Sequence, residues 1–165
     1  MRYYSISEMN AVQEFHGWWR LREFAQRTPA GTVYPFGRRA QGVIAYDPSG
    51  LMSVVIVSDP MPRFSHEGGE SDPDVEPEYP GEGNQAPQAE LADVYDGCLS
   101  YFGTYVVDET TKSVSHHVEG SNRPGFVGKK LVRTYSFDGD LLSLSPPSGA
   151  GFPVTLVWQR VSRGY

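Results

Sequence analysis

The sequence predicts an all-β fold, an eight-stranded antiparallel barrel with one or two short helices, and three observations carry that expectation. Runs rich in aromatic and β-branched residues recur at close spacing, about eight of them. Gly- and Pro-bearing polar turns separate them, Asp47-Pro48-Ser49-Gly50 and Asp138-Gly139-Asp140 being the strongest. Strands and helices do not alternate as a parallel sheet would require. A meandering sheet of this size exposes two edges unless it closes, and eight strands close around a space that suits one small ligand.

Each element has its own warrant. Ser7 followed by residues 8–15 reads as a short capped helix, with Met9, Val12 and Phe15 on one face and Gly17 at its end. Residues 18–25 mix apolar and charged side chains at strand spacing, and Thr-Pro-Ala-Gly-Thr at 28–32 supplies a turn. Residues 41–46 and 51–58 form a hairpin over Asp47-Pro48-Ser49-Gly50; being nearly continuous in apolar residues, both strands belong in the middle of the wall. Residues 59–87 are dominated by Pro, Gly and Glu, and no Lys or Arg occurs between Arg63 and Lys112. Such a stretch buries too little apolar surface to offset its ordering entropy, so it reads as a mobile acidic loop or as a lid that brings Met61, Phe64, His66 and Tyr79 to a ligand. Residues 88–98 place Leu91, Val94, Tyr95 and Cys98 at the spacing of an amphipathic helix. Residues 100–119 are a hairpin around the polar turn 108–111. A loop over 120–128 leads to the hairpin 129–137 and 141–145, and residues 154–161 close the sheet.

Composition sets the outer bounds. The 165 residues suit a single domain, and 39% hydrophobic content is too high for a disordered chain. A net charge of −6 disfavours nucleic acid and anionic membrane as partners. No apolar run is long enough to span a bilayer, and the N-terminus lacks the apolar core of a signal peptide, so a soluble, cytoplasmic protein is expected. Cys98 is the sole cysteine, which allows no internal disulfide and reads better as a small buried residue than as a nucleophile. The motifs of serine hydrolysis, nucleotide binding and zinc proteolysis are missing.

The densest titratable group is His116, His117 and Glu119 on the second arm of the hairpin. Alternation puts His117 and Glu119 on one face with Ser115, and His116 on the other with Val114 and Val118. If the first face looks inward, His117 and Glu119 become a general acid/base pair in a partly dry cavity. Tyr101 and Tyr105 on the adjoining strand then supply hydrogen bonds to a developing oxyanion. Register is not fixed by the sequence, and a slip of one residue exchanges the faces. Adjacent histidines on a strand point apart and no third ligand is evident, so no metal is expected; no cofactor is expected either. Arg133 lies mid-strand on the face of Leu131, Tyr135 and Phe137, where a buried guanidinium needs Glu119, Glu23 or an anionic ligand beside it. Trp19 and Trp158 read as cavity floor or as core.

Gly17-Trp18-Trp19 ahead of the first strand resembles the Gly-x-Trp start of lipocalin barrels, and Arg160 in the last strand is placed like the arginine that packs over that tryptophan. The succession GWWRL, GVIAYDPSGLMSV, YFGTYVVD, SVSHHVEGS, KLVRTYSFDGDLLSLS and LVWQRV is similar to the bacterial and fungal lipocalin-like domain family over about residues 15–161. The resemblance implies a calycin-type barrel around a small-molecule cavity, and the long acidic loop departs from it. By analogy with lipocalin-like barrels of natural-product pathways, it implies a cofactor-free isomerase or cyclase of a small apolar, carbonyl-bearing metabolite. Catalysis would fall to His117, Glu119, Tyr101 and Tyr105, and ligand contacts to His116, Arg133, Tyr135, Trp19, Tyr46, Trp158 and Phe64. The alternative is a carrier that binds a small hydrophobic molecule unchanged, with a homodimer left open.

Overall fold

The computed structural model describes residues 10–62, 87–147 and 151–162. Helix α1 spans Ala11–Phe15, and its cap is Asn10, whose side chain accepts from the Val12 amide at 3.1 Å. The helix expected over residues 8–15 with Ser7 as its cap therefore begins at Ala11 with Asn10 as its cap, and Ser7, Glu8 and Met9 lie outside the described residues.

The strands are β1 (Gly17–Thr28), β2 (Gly31–Val33), β3 (Gln41–Tyr46), β4 (Leu51–Val57), β5 (Cys98–Asp108), β6 (Ser113–Ser121), β7 (Lys130–Asp138), β8 (Leu141–Ser145) and β9 (Val154–Arg160). All neighbours pair antiparallel, and β1 pairs with β9 as well as β3, so β1 and β3 to β9 make a closed eight-stranded barrel. The ninth strand, β2, is a three-residue ribbon hanging on the end of β1, where a plain turn was expected; three exposed residues carry no hydrophobic alternation to announce it.

Inside and outside alternate along each strand. In β4, Met52, Val54 and Ile56 are buried while Leu51 and Val55 face outward and are exposed. The near-continuous apolar run in β3 and β4 does belong to the middle of the wall, but no second layer covers its outer face among the described residues.

The two ends of the barrel differ. At one end α1 drives Phe15, fully buried, against Tyr46, Tyr135 and Phe137, with ring centroids 5.0, 4.9 and 5.1 Å away in edge-on geometry. Trp19 lies beneath, donating its indole N–H to the Phe15 carbonyl at 2.9 Å. Arg160 stacks over the Trp19 ring at 4.1 Å and donates to the carbonyls of Glu14 and His16 at 2.8 and 3.3 Å, so the last strand clamps the helix onto the first. The opposite end is left by the chain at residue 57 and re-entered at residue 98. There α2 (Gln88–Asp96) buries none of its residues; Leu91 and Tyr95 of its expected apolar face are exposed, and Cys98 already belongs to β5. What holds α2 is Arg123. Its guanidinium lies 4.1 Å from the Tyr95 ring, 3.0 Å from an Asp96 carboxylate oxygen, and donates to the carbonyls of Tyr95, Asp96 and Cys98.

Truncating the plug tests how far the closed end holds the fold together: Phe15→Ala should lower the unfolding free energy by about 3–5 kcal/mol, read from urea midpoints at an unchanged m-value.

Candidate ligand site

Between the plug and the open end lies a cavity of about 180 Å³. Its wall is mostly apolar, with Ile44, Val54, Ile56 and Leu144 from inside the barrel and Phe24, Leu99, Phe126 and Leu156 nearer the mouth. Four polar-headed side chains join them: Tyr101, His116, Arg133 and Trp158. Among the described residues no Asp or Glu lines the space.

The face of β6 that turns inward is the one carrying Val114, His116 and Val118, all buried. Placing two valines inside fixes this choice, because a one-residue slip would expose both to bury His117 and Glu119. The expectation that His117 and Glu119 look inward is therefore corrected: both are exposed on the outer face. Glu119 is also the extra residue of a β-bulge, since Phe102 pairs with Gly120 and Gly103 with Val118. At that bulge the backbones approach so closely that a Cβ on Gly103 would collide with the His117 carbonyl oxygen.

Burying His116 requires partners for both ring nitrogens, and two tyrosines provide them. The Tyr46 hydroxyl lies 2.8 Å from Nε2 and the Tyr101 hydroxyl 3.0 Å from Nδ1. Desolvation, followed by the Arg133 and His117 charges, pulls the His116 pKa down to about 3, so the ring is neutral at physiological pH. Burial pushes the Tyr101 phenol up to about 12 despite the opposing Arg133 charge, and raises Tyr46 well above the ordinary tyrosine value. All three groups are uncharged.

Counting protons then assigns the tautomer. The three groups carry one proton each, and the two contacts use two of them. The third stays on whichever phenol accepts from the ring. Tyr46 is enclosed and has no second acceptor among the described residues, whereas Tyr101 lines the cavity. Leaving a buried donor unpaired costs about 1–3 kcal/mol, so Tyr46 donates to Nε2, Nδ1–H donates to Tyr101, and the Tyr101 hydroxyl keeps its proton for the cavity.

The other residues expected at the site are distributed differently. Tyr105 points to the closed end and donates to the Asp47 carbonyl at 3.1 Å. Trp19 and Tyr135 pack in the plug, and Tyr46 touches the cavity only through His116, so these four stand away from the wall where ligand or catalytic contact was expected. Trp158 does line the space, and its indole N–H is buried without an acceptor among the described residues. Arg133 lines the cavity opposite Val114 but is half-buried rather than buried, and neither Glu119 nor Glu23 pairs with it; its one hydrogen bond among the described residues runs to the Val132 carbonyl at 2.8 Å. Phe64, His66 and Tyr79 lie outside the described residues, as does most of the acidic loop. Sequence reasoning missed Phe24, Leu99, Phe126 and Leu156: Leu99 and Leu156 lie near the starts of β5 and β9, Phe24 pairs with Leu156 across β1 and β9, and Phe126 sits in the short 3-10 turn Pro124–Phe126 between β6 and β7, so no common signal in the sequence marks them.

The profile of lipocalin-like domains matches residues 16–161. The chain belongs to the lipocalin-like domain family. A lipocalin-like barrel of this kind points to ligand binding in a cavity. No curated protein matches the chain. Two designed proteins resemble it among solved structures. A redesigned β-barrel is 13% identical, with a TM-score of 0.44, over 94% of this chain and 100% of that one. A de novo fluorescence-activating β-barrel is 12% identical, with a TM-score of 0.42, over 93% and 100%. Among the described residues no helix is long and apolar enough to cross a membrane, and no group of three or more His, Cys, Asp or Glu is placed to hold a metal ion.

The His116 environment gives a pH signature. The unfolded chain binds a proton there near the ordinary value of 6.5, while the folded chain resists until about 3. The contribution is fully present above the first value and is lost as the pH falls towards the second. Urea unfolding between that upper value and about pH 5, before carboxylates titrate, should show stability falling by up to about 1.4 kcal/mol per pH unit, and His116→Gln should remove that slope.

Proposed function

We propose that this lipocalin-like barrel binds a small apolar molecule that presents an oxygen atom to Tyr101. The observation that carries the reading is the Tyr46–His116–Tyr101 chain, buried in the barrel and ending in a hydroxyl on a mostly apolar cavity. Apolar walls supply affinity through desolvation, and one oriented donor supplies register, the usual division of labour in small-ligand sites. Carriage of the molecule unchanged fits these groups best. A catalytic base working near neutral pH needs a pKa close to 7, and His116 at about 3 and Tyr101 at about 12 both stand far from it.

A second reading, a cofactor-free isomerase or cyclase of a carbonyl-bearing metabolite, draws support from the same hydroxyl. A phenol already polarised by Nδ1–H strengthens its hydrogen bond as a substrate carbonyl gains enolate charge, and enclosure in the barrel holds a flexible substrate in one reactive shape.

Native mass spectrometry of the purified protein should find a retained small molecule, and 1,8-anilinonaphthalene sulfonate should gain fluorescence on the emptied chain. Leu156→Trp, which fills the cavity from its mouth, should abolish both while leaving the circular dichroism spectrum unchanged; survival of either signal in that variant would overturn the assignment of the site. Tyr101→Phe separates the two readings once the retained molecule is known: a carrier loses about tenfold in affinity at most, whereas an enzyme keeps binding and loses turnover.

A further inference from the structure

We propose that the ligand is an apolar carboxylate, with Arg133 as the residue that selects for its charge; this rests on the cavity-binding reading above and adds the chemical class of the molecule. The argument is a balance of donors and acceptors. The nitrogens of His116 are both taken by tyrosines, which among the described residues leaves the Tyr101 hydroxyl and the Arg133 guanidinium to face a ligand, and both are donors. The Trp158 indole N–H, without an acceptor among the described residues, is closed off from the space.

The guanidinium decides between a neutral and an anionic acceptor. Arg133 sits in β7 directly across from Val114, a fully buried residue, so its side chain enters the barrel beside the imidazole. Only one of its N–H groups is used within the described chain, on the neighbouring carbonyl of Val132. The three ion pairs among the described residues, Arg39 with Asp59, Arg123 with Asp96 and Arg160 with Asp140, leave it without a carboxylate. Arg133 is half-buried, so its charge is only partly compensated by water, and a planar fork of donors beside an apolar wall matches the two oxygens of a carboxylate. An alcohol, aldehyde or ester would leave the charge uncompensated and most of the donors idle. The remaining wall of aliphatic and phenyl groups calls for a hydrocarbon body on the same molecule.

Isothermal titration with octanoate and 1-octanol, which share a chain and differ in the head group, tests this on the intact protein. Octanoate should bind at least about tenfold more tightly than 1-octanol. Arg133→Gln should bring the two to the same affinity by weakening octanoate alone, and Arg133→Lys, which keeps the charge and loses the fork, should weaken octanoate severalfold with 1-octanol unchanged. Equal binding of the two probes to the unaltered protein, or an acid preference that persists in Arg133→Gln, overturns the carboxylate inference and leaves the cavity reading standing. Failure of both probes to bind a chain shown to be folded overturns both.

Discussion

A sheet that closes on itself must give one strand two partners along much of its length, and here that constraint falls on β1. Its first residues pair with β3 and its middle with β9, and the register to β9 shifts between Leu21 and Glu23 so that one strand can serve both neighbours. The barrel has no open edge where the ladder meets itself. Everything that gives the interior its character follows: an inward face on each strand, a plug at one end, and a space at the other. The Trp19, Phe15 and Arg160 contacts sit at the seam and bind together the helix, the first strand and the last.

Closure also explains the chemistry of the interior. Once Val114 and Val118 go inside, His116 has to go with them, and an imidazole in an apolar interior has to be neutral and doubly hydrogen-bonded. Tyr46 and Tyr101 meet that need from strands β3 and β5. One of the two phenols inherits a spare proton, and the geometry gives it to the one at the cavity. A polar function thus arises as a by-product of packing, which gives a small barrel an oriented donor beside the Arg133 guanidinium.

Most of the architecture was legible in the residues, since turn chemistry and strand alternation are local. Asp47-Pro48-Ser49-Gly50 and Asp138-Gly139-Asp140 mark hairpins that appear where expected, and the Gly17-Trp18-Trp19 and Arg160 signature meets in space at 4.1 Å. The site was only partly legible. His116, Tyr101, Arg133 and Trp158 do reach the cavity, but the inward face of β6 went unrecognised because titratable residues drew the reading away from the valines that decide the matter. The α2 face misled for a different reason. Its apolar spacing implied packing against the sheet, whereas Arg123, from a distant loop, fastens the helix by its terminal carbonyls and one aromatic ring. Such a long-range tether leaves no periodic trace in the sequence.

The separation of the two barrel ends has a consequence for how such a chain can diverge. The aromatic seal around Phe15 closes one end, whereas Phe24, Leu99, Phe126 and Leu156 are set near the opposite rim and take no part in that seal. Selection can therefore reshape the rim to admit longer, shorter or branched hydrocarbon bodies without disturbing the seal. Related chains are expected to vary most in those four places, keeping one scaffold while their cargo drifts.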